Sequence, residues 1–321
     1  MPEGQGASAG AHANPAVWSL PHLLDQDLGN VVLWATPAVR TQVSGALPWP
    51  LADVSLGIPT GTDTLVVVGG GSLIDAAKRQ RHESAPQVRL VAIPSIWGSG
   101  AEASPIVVSE GADRKEGRKD DAYLPDARVE WPELAADVPP TLVRYACGDT
   151  WAHALEAFLS PLATDALHQE TAALLADLLA LPLANDPRWF EASVRACVAQ
   201  SNASVGLVHG IAHTIEPTLT REQPGYRWGH ARLCATFLWP VLALEKSGSS
   251  RPGAYAERYG VDLPAVTARA RDLFDEGDYD AALPTLEAAW NKVLRDPCTR
   301  TNCMVVKGEH LAFFTQKVFL S

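Results

Sequence analysis

The chain has no CxxC pair, no surplus of positive charge, no internal repeat and no apolar run long enough to cross a membrane. Its five cysteines, Cys147, Cys197, Cys234, Cys298 and Cys303, are odd in number and scattered. Without a secreted-domain spacing pattern they point to reduced thiols in a cytoplasm rather than a disulfide framework. Acidic residues outnumber basic ones, 37 against 26, for a net charge of -11. A surface of that sign repels nucleic acid and anionic membrane, so neither is expected as a partner. The opening residues, MPEGQGASAGAHANPAV, lack both a basic and an apolar leader region. Residues 1–14 are small, polar and Gly/Ala-rich, and a flexible tail is expected there.

What is present is a globular pattern, 47% hydrophobic and 20% charged over 321 residues, enough for two domains. NVVLWATP (Asn30 to Pro37), TDTLVVVGGG (Thr62 to Gly71) and VRLVAIPS (Val88 to Ser95) read as strands. Near-continuous Val/Leu/Ile runs are the pattern of parallel strands covered on both faces. SLIDAAKRQRH has helical spacing and supplies a crossover. From Pro139 the texture changes to long Ala- and Leu-rich helices, and Thr141 after the Pro139-Pro140 pair is a candidate helix cap. The expected organisation is an α/β domain over residues 15–138, built on a parallel sheet and binding a dinucleotide, followed by an all-α metal- and substrate-binding domain over 139–321.

Four motifs carry chemistry. VVVGGGSLIDAAK sets Gly69, Gly70, Gly71 and Ser72 between a strand and a helix, where close backbone approach and free N–H groups suit a pyrophosphate. Taken alone, the same loop is equally a tight turn. IPSIWGSGAEASP places a Ser/Gly loop at the carboxyl end of a strand, where ligands bind in open α/β sheets. CGDTWAHALEAF puts Asp149 and His153 four residues apart on one helical face, and LVHGIAH followed by WGHA supplies His209, His213 and His230. Asp149, His153, His209 and His230 are candidate ligands of one ion. Three imidazoles and a carboxylate suit Fe2+ or Zn2+ better than Ca2+ or Mg2+.

In this order the motifs resemble those of the iron-containing (group III) alcohol dehydrogenase family, within the dehydroquinate synthase-like superfamily. VVGGGSLIDAAK resembles its pyrophosphate loop, PSIWGSGAEAS its PTxxGTGSE segment and GDTWAHALEAF its GxDxxxHxxE helix. The resemblance covers about Val31 to Pro240. It implies that Asp149, His153, His209 and His230 bind the metal and that Gly70, Gly71 and Ser72 hold the pyrophosphate of NAD(P)H. It sets Ser95 and Ser99 near the nicotinamide and Lys115, with Lys119 close by, against the cofactor. His213 matches a family histidine beside the substrate and is the candidate proton relay. Family members commonly form homodimers.

The chain also departs from the family pattern. The strand before residue 38 ends in Ala35-Thr36-Pro37, with no acidic residue for the adenosine ribose, so NADPH is open to it beside NADH. Arg40 is a candidate partner for a 2′-phosphate. Trp97 and Trp151 either narrow the pocket or belong to the core. The TREQPGYR segment between His209 and His230 carries Arg221 and Arg227, which would favour an anionic substrate if they border the site. The function expected is a metal-dependent, NAD(P)H-linked reductase interconverting a small aldehyde and its primary alcohol, with an anionic aldehyde such as phosphonoacetaldehyde worth testing. A dehydroquinate synthase-like lyase and a degenerate, non-catalytic binding protein are the alternatives.

Overall fold

The computed structural model describes residues 15–111 and 114–320, so the expected tail, residues 1–14, lies outside them. The first part of the chain forms β1 (Ala16–Ser19), α1 (Leu20–Leu24), β2 (Val31–Ala35), α2 (Arg40–Ala46), β3 (Thr64–Gly69), α3 (Gly71–Ser84), β4 (Arg89–Pro94), β5 (Ile106–Glu110), β6 (Lys115–Lys119) and β7 (Ala127–Glu130). Five of these strands make one parallel sheet in the order β1-β7-β4-β3-β2, and β5 pairs with β6 as an antiparallel hairpin. The three strands expected from the apolar runs are all present. Each is a residue or two shorter at its ends than the run that announced it.

The apolar runs are continuous because the sheet is buried on both faces. Leu65 and Val67 of β3 pack with Ile74 and Ala77 of α3. The alternating residues Val66 and Val68 pack on the opposite side with Leu23 of α1 and Val43 of α2. β1, β7 and the β5–β6 hairpin carried no such signal. β1 is four residues with a largely exposed pattern, and β6 reads KEGRK, exposed over most of its length.

From Pro140 onward the chain is helical: α4 (Pro140–Leu159), α5 (Asp165–Ala180), α6 (Arg188–Ala203), α7 (Leu207–Glu222), α8 (His230–Gly248), α9 (Arg251–Tyr259), α10 (Leu263–Leu273), α11 (Glu276–Val293), α12 (Pro297–Arg300) and α13 (Leu311–Thr315). The expected Thr141 cap is not formed. α4 begins one residue earlier with Pro140 in its first turn and Pro139 as the cap residue, so Thr141 lies inside the helix. Proline suits that start because its φ is already helical and its missing N–H would have had no intrahelical partner. These helices enclose one core that includes Trp151, Phe158, Trp189, Phe237, Tyr279 and Phe314. No helix among the described residues is long and apolar enough to cross a membrane.

α4 and α8 cross in backbone contact at one point. A Cβ placed on Gly148 would lie 2.4 Å from Ala235 Cβ and 2.6 Å from Ala235 Cα, inside any allowed contact. Gly148→Ala therefore has to push the helices apart, an overpacking cost of about 1–3 kcal/mol. A lowered Tm, together with weakened uptake of a divalent metal because Asp149 moves with its helix, is the expected outcome in calorimetry and metal titration.

Glu245 of α8 is buried, and burial pushes its carboxyl from 4.5 up to about 8. Folded, it holds its proton to about pH 8; unfolded, it loses it near pH 4.5. The stability it contributes thus falls as pH rises through that window, since the folded state binds the extra proton. Glu245→Gln is expected to raise Tm at pH 8.5 relative to the parent chain and to give no gain at pH 4, a difference that melting curves at the two pH values resolve.

Candidate metal and nucleotide site

The two loops at the carboxyl ends of β3 and β4 are built against each other. A Cβ on Gly71 would sit 2.4 Å from Ser99 Oγ, so only glycine lets the strand-to-helix turn approach the Ser/Gly loop this closely. Gly98, at φ +119, passes 3.3 Å from the backbone of Ala146 and 3.5 Å from Asp149 Oδ2, measured from its own would-be Cβ. The loop after β4 thereby meets the helix that carries the candidate ligands. Gly70 faces open space, with nothing within 4 Å of a Cβ built there. The amides at the start of α3 border that space, so the donor set of a helix N-terminus and a cradle without side chains coincide, as a pyrophosphate requires.

Asp149 and His153 leave α4 on the same face, His209 and His213 leave α7, and His230 begins α8. Asp149 Oδ1 lies 3.8 Å from His153 Nδ1, 4.0 Å from His209 Nε2 and 3.7 Å from His230 Nε2. Metal–nitrogen bonds of about 2.0–2.1 Å set the donors of one ion about 3–4 Å apart, so these distances fit a single ion. Asp149 Oδ1, His153 Nδ1 and His230 Nδ1 are buried and make no hydrogen bond. An orphaned buried acceptor carries a large desolvation cost, which a cation at the cluster would offset for Asp149 Oδ1 and His153 Nδ1, whereas His230 Nδ1 faces Glu216 Oε2 on the other side of its ring. Burial pushes His209 and His213 down to about 3, and His230 well below its usual value. Neutral imidazoles are the form that coordinates.

The spatial grouping differs in one respect from the expected ligand set. Asp149, His209, His230 and Cys234 each offer a donor atom within 4.8 Å of the other three, and His153 lies outside that foursome. His153 still packs at a tilt against His209, ring centroids 4.5 Å apart, and both line one cavity. His213 is placed beside the cluster, 5.1 Å from the His230 ring, with its Nδ1 3.6 Å from Cys298 Sγ. His213, Asp296 and Cys298 form a second grouping that the sequence reading did not find.

Two carboxylates around the cluster were also missed. Glu156 Oε2 lies 2.6 Å from His209 Nδ1 while its Oε1 accepts the Val208 N–H at 2.6 Å. This bond puts the His209 proton on Nδ1 and leaves Nε2 free to face the cluster. Burial raises the Glu156 carboxyl to about 7, with the backbone N–H bonds opposing. Glu216 Oε1 pairs with Lys115 Nζ at 2.6 Å and its Oε2 stands 3.8 Å from His230 Nδ1. Glu156 follows His153 by three residues on one helix, which is the signal that could have found it.

A cavity of about 580 Å³ joins the two halves, lined among others by Gly71, Ser72, Ser99, Lys115, Asp149 and His230. Of the expected cofactor residues, Gly70 and Ser95 are not in its lining. A second cavity of about 780 Å³ reaches the same histidines from the β6 side, past Arg114, Lys119 and Cys298. Trp151 is core; Trp97 is buried against Trp189 and Phe190 and also lines the first cavity. Arg227 lines that cavity, whereas Arg221 is exposed beside Glu222. Arg40 is exposed at the start of α2 and donates from Nε to Ala35 O, at the end of β2, at 3.4 Å.

A parallel α/β half carrying a glycine-rich turn, closed by a helical half carrying a buried His/Asp cluster, defines a recognisable class of two-part fold. Residues 56–129 match the model of the iron-containing alcohol dehydrogenase family. The 1-propanol dehydrogenase PduQ of Salmonella typhimurium is 35% identical over 162 residues, covering 46% of this chain and 44% of that protein. The probable alcohol dehydrogenase EutG of the same organism is 27% identical over 278 residues, 75% of this chain and 69% of that protein. The iron-containing alcohol dehydrogenase of Corynebacterium glutamicum superposes with a TM-score of 0.75 at 20% identity, covering 98% of this chain and 97% of that one. Residues 56–129 thus carry the signature of the iron-containing alcohol dehydrogenase family, and the fold of its solved members extends over nearly the whole chain. The sequence match spans less than half the length of PduQ.

Replacing Glu156 by Gln keeps the shape but weakens the anchor on His209 Nδ1. Loss of such an outer-shell partner costs about 10–100-fold in metal affinity. Isothermal titration of Zn2+ into apoprotein of the two forms should show a drop of that size; equal affinities would remove Glu156 from the site.

Proposed function

We propose that the chain is a metal-dependent, NAD(P)H-linked reductase of small aldehydes, running in reverse as an alcohol dehydrogenase. The observation that carries this reading is the single cavity running from Gly71 and Ser72 to Asp149 and His230, because hydride transfer needs nucleotide and carbonyl in one enclosed space. When bound, the nicotinamide supplies hydride and a divalent metal polarises the carbonyl.

The chain's own residues do the rest. Asp149, His153, His209 and His230 hold the ion, with Glu156 fixing the His209 ring. Gly70, Gly71 and Ser72 hold the pyrophosphate, while Ser95 and Ser99 support the loop at the nicotinamide end. Lys115 keeps Glu216 next to His230 through its 2.6 Å ion pair. His213 turns Nδ1 to Cys298, which leaves Nε2 as the nitrogen that passes a proton to or from the substrate oxygen. Buried and neutral, it acts as a relay rather than as a proton store.

PduQ's name brings propanal onto the substrate panel, and Arg227 in the cavity lining brings an anionic aldehyde such as phosphonoacetaldehyde. NADH and NADPH oxidation by protein loaded with Fe2+ or Zn2+ should depend on the metal and on an aldehyde, and His209→Ala should abolish it. Turnover that survives metal removal would sink the reading. If the anionic substrate is right, Arg227→Ala raises KM for phosphonoacetaldehyde about tenfold or more, the worth of one charged hydrogen bond, and leaves KM for propanal in place.

A further inference from the structure

We propose that the sulfur of Cys234 is itself a ligand of the ion at Asp149, His209 and His230, and that this soft donor shifts the site's preference from Fe2+ towards Zn2+. The inference rests on the reading above that this cluster holds a divalent metal. Cys234 follows His230 by four residues in α8 and so leaves the helix on the same face. Its Sγ lies 3.6 Å from His230 Nε2 and 4.0 Å from His209 Nε2, the two nitrogens that also face Asp149 Oδ1. Four donor atoms from three helices thus fall within 4.8 Å of one another.

A buried thiol often serves only as a small apolar filler. Two observations set Cys234 apart from that role. Its side chain is fully buried in the helical core, yet its sulfur also meets two imidazole nitrogens that face the cluster. The acceptor it shares with those nitrogens, Asp149 Oδ1, is buried without a hydrogen bond. Cys234 also precedes Ala235, the residue that touches Gly148, and Gly148 precedes Asp149. One backbone contact therefore fixes sulfur and carboxylate relative to each other. Ligation breaks the S–H bond, releases the proton to solvent through the cavity and forms a metal–sulfur bond, with no change of oxidation state. Thiolate sulfur favours Zn2+ over the harder Fe2+ among ions this site could take.

The test uses the full chain loaded with Co2+. Ligand-field bands in the visible report that cobalt is bound, and a near-ultraviolet sulfur-to-cobalt charge-transfer band reports thiolate ligation. The parent chain and Cys298→Ser, the control for the other thiol beside a histidine, should show both features. Cys234→Ser should keep the ligand-field bands and lose the charge-transfer band, and Cys234→Ala should lower the ratio of Zn2+ to Fe2+ affinity in competition. Should the Cys234 variants not fold, zinc-edge X-ray absorption of the parent chain and of Cys298→Ser decides the matter through a sulfur at about 2.3 Å. Bound metal with only nitrogen and oxygen neighbours overturns the Cys234 proposal and leaves the metal reading standing. No uptake of Co2+ or Zn2+ by the parent chain overturns both.

Discussion

The backbone contact between Gly148 and Ala235 is the constraint on which the site depends. Helices normally keep 8–10 Å between axes because side chains stand between them. Here an absent side chain on one helix meets an alanine on the other, and the residues next to these two, Asp149 and Cys234, are brought to the centre from opposite walls. His153 and His230 follow one helical turn away on α4 and at the start of α8. α7 then closes the cluster with His209, whose ring is held by Glu156 of α4. The donors converge because the helices do.

Burial makes that convergence chemically selective. A buried imidazole resists protonation, and a buried carboxyl resists ionisation. His209, His213 and His230 therefore stay neutral, with the Glu156 carboxyl behind His209. Asp149 Oδ1, buried without a hydrogen-bond partner, is the atom at which a cation would be held most strongly.

Much of this was legible in the sequence, and the reasons are local. β2, β3 and β4 announced themselves because both faces of a parallel sheet are apolar. Asp149 with His153 and His209 with His213 announced themselves by helical spacing. β1 and β6 were silent because short, exposed strands carry no burial pattern. Thr141 misled because Pro140 already starts the helix. Cys234 stood four residues after His230, the same spacing that paired Asp149 with His153, but a thiol in an Ala/Leu-rich helix looks like core. Glu216 acquires its place near His230 only through the fold, since thirteen residues of loop and helix separate the two in the chain.

Arg232 lies two residues beyond His230 in α8. Its guanidinium sits 4.5 Å from the rings of both Tyr226 and Trp228 and is held by Asp278 at 2.5 Å. The segment that carries Arg227 is thus clamped to the helix that carries His230. A graft of different length or aromatic content in that loop would therefore also re-aim the imidazole of His230. Pocket shape and the placement of His230 are thus inherited together.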